Sequence, residues 1–113
     1  MSQITTHILD IARGAPAQQV PITLSVREGK DWKVIGQGLT NGDGRIGDLC
    51  KADTILLAGT YQMHFDTEHY FSAQGDPVFY PWADGIFNIG GDGQHYHIPL
   101  LLSPYGHSTY RGS

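Results

Sequence analysis

Turn residues recur at short, regular intervals along this chain, and this limits its fold more than any other feature. The 15 glycines and six prolines are spread through 113 residues rather than pooled, so they read as turn punctuation and not as a disordered tract. Between them lie short runs rich in Ile, Val, Thr, Tyr and Phe, residues that suit a pleated, half-buried surface. Strands are predicted at Ile4–Ile11, Val20–Glu28, Trp32–Thr40, Ala58–Asp66, Gly85–Gly90, Gln94–Leu102 and Tyr105–Gly112, with a very short extra one near Ile46–Leu49. Only Thr67–Gln74 reads as helical, with Thr67 as N-cap and Gly75 just past its end. Seven or eight strands joined by tight turns predict an all-β, two-sheet antiparallel β-sandwich with one short helix. No repeat or boundary divides residues 1–113, which read as a single domain.

Charge and cysteine content exclude several function classes. A formal net charge of −4, with seven Lys+Arg against 11 Asp+Glu, is unsuited to gripping phosphate backbones, so no nucleic-acid partner is expected. No window approaches the ~20 apolar residues of a membrane span. Patterned sequence follows directly on Met1-Ser2-Gln3 and a lone Cys50 cannot form an internal disulfide, so a cytoplasmic protein is expected, with a processed periplasmic form as the alternative. Leu100-Leu101-Leu102 is apolar on both faces of a predicted strand. A two-layer sandwich covers one face of each sheet, so either a loop or a second subunit must cover the other, and oligomerisation is the favoured account.

The last twenty residues hold an unusual polar arrangement. If Ser103-Pro104-Tyr105-Gly106 is a tight turn with its ends facing, Pro99 lies opposite Tyr110 and His97 opposite Gly112. Alternation then puts His97 and Tyr110 on one face as diagonal neighbours ~7–8 Å apart. His95 and Leu101 point the same way, while Ile98, Leu100 and Leu102 face the core.

Conventional sites fit poorly. His95-x-His97 presents two imidazoles on one face, but local spacing supplies no third ligand, so no metal is expected. Thr40-Asn41-Gly42-Asp43-Gly44 resembles a calcium loop, yet its first and twelfth positions would be Leu39 and Cys50, where carboxylates are required. Gly90-Gly91-Asp92-Gly93 lacks a following Lys-Ser/Thr and is a hairpin turn. No Gly-x-Ser-x-Gly elbow exists, and Cys50 has no evident base beside it. Taken singly, His7 in its apolar strand reads as a hydrogen-bonded structural histidine and Arg45 as a solvated loop arginine.

Taken together, the pieces resemble a known family. Thr6-His7-Ile8-Leu9-Asp10, the Asp43-Gly44-Arg45 turn and the ending from His95 to Tyr110-Arg111-Gly112-Ser113 are similar to the transthyretin-related 5-hydroxyisourate hydrolases. Gly14-x-Pro16, Ala58-Gly59-Thr60-Tyr61 and Tyr70-Phe71 extend the match almost end to end. Thyroid-hormone-carrying transthyretins share Leu-Ser-Pro-Tyr and Ser-Thr but lack the Arg-Gly-Ser ending. The resemblance implies a prealbumin-like (transthyretin-like) sandwich, assembled as a homotetramer with active sites at the dimer–dimer interface and no cofactor. It implies that His7, Arg45, His97, Tyr110 and Ser113 are catalytic, and that His7, Arg45, Tyr110, Arg111 and Gly112 hold the substrate. His107 stands where an aromatic such as Tyr is expected in many relatives.

The reaction so implied is hydrolysis of 5-hydroxyisourate, the product of urate oxidation, by attack of water on C6 and opening of the N1–C6 bond. Histidine suits this chemistry, because an unperturbed pKa of ~6.5 leaves much of it neutral near neutral pH. His7 and His97 are the expected proton-transfer pair and Arg45 the group that orients the ring and stabilises developing charge. The competing expectation is a transthyretin-type carrier of small aromatic ligands. It would want a wide apolar channel rather than one lined by two His, an Arg and a Tyr.

Overall fold

Two sheets face each other across a core built from alternate residues of their strands. The structure, a computed structural model, describes residues 2–112. In chain order the elements are β1 (Ile4–Asp10), β2 (Ala15–Pro16), β3 (Pro21–Glu28), β4 (Asp31–Leu39), β5 (Arg45–Ile46), β6 (Gly59–Phe65), α1 (Thr67–Gln74), β7 (Ala83–Ile89), β8 (Tyr96–Ser103) and β9 (Gly106–Thr109). One sheet runs β2-β1-β8-β9 with β5 also on β1, and the other runs β4-β3-β6-β7. Ile4, Ile8, Ile98, Leu100 and Leu102 from the first sheet bury against Ile22, Leu24, Met63 and Phe65 from the second. This period-2 burial is what the sequence pattern predicts, and truncating one such Leu to Ala would typically cost ~2–5 kcal/mol.

The expected antiparallel sandwich is present, with one departure. β1 and β8 pair in parallel, from Ile4 opposite Tyr96 to Asp10 opposite Leu102. A tight hairpin forces antiparallel pairing, but these two strands are joined by most of the chain, so packing rather than a turn sets their direction. Smaller differences follow local chemistry. Asp66, not Thr67, caps α1 by accepting from the His69 amide, while the Thr67 hydroxyl donates to the Tyr80 carbonyl at 2.7 Å. β2 was not anticipated, and β5 covers only Arg45–Ile46. At the end of β1 the fully buried Asp10 carboxylate accepts from the Ala12 and Arg13 amides and from the Tyr70 hydroxyl at 2.7 Å, tying the sheet to α1.

Candidate active site

The outer face of the β1–β8 pair gathers the polar residues. The turn before β5 is built on Asn41, whose side-chain oxygen accepts from the amides of Asp43 at 2.9 Å and Arg45 at 3.0 Å. The Gly44 carbonyl accepts from the Ile8 amide at 2.8 Å, pinning the turn to β1. Gly44 sits at φ +73°, where a Cβ would come within 2.5 Å of the Ile8 carbonyl oxygen, so glycine is required for this close approach. The result is that Arg45, otherwise a loop arginine, lies directly opposite His7 in register.

On the other side of β1, parallel register sets Thr5 opposite His97 and His7 opposite Pro99. His7 and His97 are therefore diagonal neighbours on one face. Both are half-buried, and their rings stack with centroids 6.5 Å apart and planes inclined by 26°. The Thr5 hydroxyl lies 2.8 Å from His97 Nδ1 and 3.0 Å from His95 Nε2. A hollow of about 200 Å³ opens among Thr5, Arg45, Gly47, His95 and His97.

The tail completes one edge of this face. The Gly112 amide donates to the His97 carbonyl at 2.7 Å, and β9 pairs with β8 from Ser103 opposite Gly106 to Leu100 opposite Thr109, the register the hairpin predicts. Tyr110 is 53% exposed and lines, with Arg111, a different hollow alongside Gly85–Asn88 of β7. The Arg111 guanidinium stands 4.6 Å from the centre of the Tyr96 ring and donates to Gln94 Oε1 at 2.6 Å. Within one chain, then, His7, Arg45, His97 and Gly112 come together, while Tyr110 and Arg111 do not join them. Ser113 lies outside the described residues. His107 meets the Tyr80 ring edge-on at 5.0 Å.

Both imidazoles are held below the ordinary histidine pKa. For His7, burial is the largest cause and the Arg45 charge the second, partly offset by Asp43. For His97, burial again leads, followed by Arg45, His7 and His95. A cation beside two desolvated rings disfavours a second positive charge, so both are neutral, proton-accepting groups near pH 7. Among the described residues no three His, Cys, Asp or Glu side chains gather as a metal site would require. What this chain offers is a neutral imidazole pair with a guanidinium alongside, suited to moving protons while holding an anionic or carbonyl-bearing ring. The link from Thr5 to both His95 and His97 was not anticipated. Its only trace in the sequence is that Thr5 shares a face with His7, and His95 with His97.

The sequence matches the HIUase/transthyretin family over residues 4–112. It is 44% identical over 112 residues to a probable 5-hydroxyisourate hydrolase of Caenorhabditis elegans, spanning 99% of this chain and 82% of that protein. It is 43% identical over 114 residues to the 5-hydroxyisourate hydrolase of Mus musculus, spanning 99% and 96%. Among solved structures, the 5-hydroxyisourate hydrolase of Klebsiella pneumoniae superposes with a TM-score of 0.84 at 40% identity, covering 97% of this chain and 98% of that one. Sea bream transthyretin in complex with thyroxine superposes with a TM-score of 0.90 at 32% identity, covering 97% and 94%.

Proposed function

This chain belongs to the HIUase/transthyretin family, and from that premise we infer that it is a 5-hydroxyisourate hydrolase, acting in urate breakdown. It opens the N1–C6 bond of 5-hydroxyisourate with water to give 2-oxo-4-hydroxy-4-carboxy-5-ureidoimidazoline. The observation that carries this reading is the stacked, neutral His7–His97 pair with Arg45 opposite His7. One imidazole takes a proton from the attacking water, becoming imidazolium, and that proton is passed through the pair to the leaving nitrogen, which restores both neutral rings, help typically worth ~10²–10⁴-fold. Arg45 presents planar donors to the substrate's carbonyl and anionic edge as negative charge develops at C6.

The working form in this reading is a homotetramer with its sites where dimers meet. The outer face that carries His7, His97 and Arg45 also carries Leu9 and Leu101, both half-buried in the single chain. A second subunit on that face would cover the leucines and exclude water from the site. Tyr110, Arg111, Gly112 and Ser113 would close it, which gives the tail a role that one chain alone does not.

A carrier of small aromatic ligands is the second reading, favoured by the TM-score of 0.90 with the thyroxine-bound transthyretin. Shape alone does not separate the two, because one sandwich serves both chemistries. An apolar ligand seated here would desolvate Arg45 without pairing it, an unfavourable exchange. The deciding experiment follows the ultraviolet decay of freshly generated 5-hydroxyisourate with and without the protein. Acceleration over the spontaneous rate supports the hydrolase, and an unchanged rate with saturable ligand binding supports the carrier.

A further inference from the structure

The Thr5 hydroxyl touches both histidines of the His95-Tyr96-His97 run, at 3.0 Å from His95 Nε2 and 2.8 Å from His97 Nδ1. Thr5 is only 6% exposed and is held opposite His97 by the parallel β1–β8 ladder, so its hydroxyl is fixed beside the His97 ring. A hydroxyl owns one proton. It can therefore donate to at most one of these imidazoles, so at least one of the two rings must give an N–H to the Thr5 oxygen, and the tautomers of the two rings are coupled.

The surroundings select the direction. With Nδ1 of His97 committed to Thr5, Nε2 is the nitrogen left for the hollow that His97 shares with Arg45. A guanidinium favours a lone pair over an N–H on a neighbouring ring. His97 then carries its proton on Nδ1 and gives it to the Thr5 oxygen, and the Thr5 hydroxyl donates onward to Nε2 of His95, which is exposed and keeps Nδ1–H toward water.

We propose that Thr5 is a positioning residue which, anchored by His95, locks His97 in the Nδ1–H tautomer and so presents its Nε2 as the base that deprotonates water. This rests on the hydrolase reading for the identity of the reaction. The tautomer itself does not, and this keeps the two separable.

The test combines imidazole ¹⁵N NMR on the histidine-labelled full chain with turnover of 5-hydroxyisourate by wild type, Thr5→Val and Thr5→Ser. Valine keeps the shape and removes the hydroxyl, whereas serine restores it. The wild-type spectrum is expected to show His97 protonated at Nδ1, and T5V to move it toward Nε2–H. T5V should lose ~10–100-fold in kcat, the usual effect of removing a group that orients a reacting histidine, with KM little changed, and T5S should recover most of it. A wild-type His97 protonated at Nε2 overturns the proposal, as does T5V turnover within twofold of wild type. If wild type gives no acceleration at all, the hydrolase reading fails while the tautomer measurement still decides the role of Thr5.

Discussion

The Gly112 amide donates to the His97 carbonyl at 2.7 Å, and a Cβ at position 112 would stand 2.8 Å from Cδ2 of the His97 ring and 3.1 Å from Cγ of Pro99. The terminal segment therefore lies against His97 so closely that a side chain at position 112 cannot be seated without a shift. Gly112→Ala must push either the tail or the imidazole aside. Turnover is expected to fall by at least tenfold while the melting temperature stays within a few degrees, since the position is at the chain's edge. Calorimetry beside the ultraviolet assay reads both, and full activity would mean that the tail's seat on His97 has no part in catalysis.

Removing the imidazole of His97 tests the pair directly. His97→Asn keeps a polar side chain of similar reach but no group that titrates near neutral pH. The expected loss is ~10²–10⁴-fold in kcat, with the oligomeric state by light scattering unchanged. Near-normal turnover would take His97 out of the proton-transfer role.

The pH profile follows from the direction of the two shifts. Burial and the Arg45 charge lower both imidazole pKa values, so the neutral form persists at pH values where an ordinary histidine is already charged. The acid limb of kcat/KM should have its midpoint below ~6.5, the unperturbed value. Arg45→Gln removes the second-largest cause of both shifts, so the midpoint should move upward toward that value alongside the drop in rate. The linked stability has the opposite sense to a salt-bridged histidine. The unfolded chain binds the proton more readily, so stability declines as pH falls through the unfolded pKa.

Stability is expected to separate from activity at Tyr70. Its hydroxyl donates to the buried Asp10 carboxylate at 2.7 Å, and burial together with that carboxylate raises its pKa well above the usual phenol range. Tyr70→Phe leaves Asp10 with fewer partners and should cost ~1–3 kcal/mol, read by urea denaturation. The rate at 25 °C should not change, because the bond joins α1 to the far end of β1.

Much of the architecture was legible because it is local. Alternation exposed the inward faces, a four-residue turn set the β8–β9 register to the residue, and Asp66–Gly75 bounds the helix one position earlier than Thr67 suggests because the aspartate side chain caps it. His7, Arg45, His97 and Gly112, which the structure places together, were named in the sequence through the family resemblance of their motifs, whereas Tyr110 and Arg111 of the same tail line a different hollow. That Arg45 would face His7, however, depends on the Gly44 carbonyl docking onto Ile8. The Thr5 contact depends on a parallel pairing between strands about ninety residues apart.

What the sequence by itself determined, then, is the set of strands, which face of each is buried, and how neighbours in the chain pair, since alternation and turn geometry act over a few residues. What only the tertiary structure decided is which strands from opposite ends of the chain lie side by side and in which direction. That choice is made by the fit of two apolar sheet faces, and it sets the His7 imidazole of β1 beside the His97 imidazole of β8 and the Thr5 hydroxyl against His97.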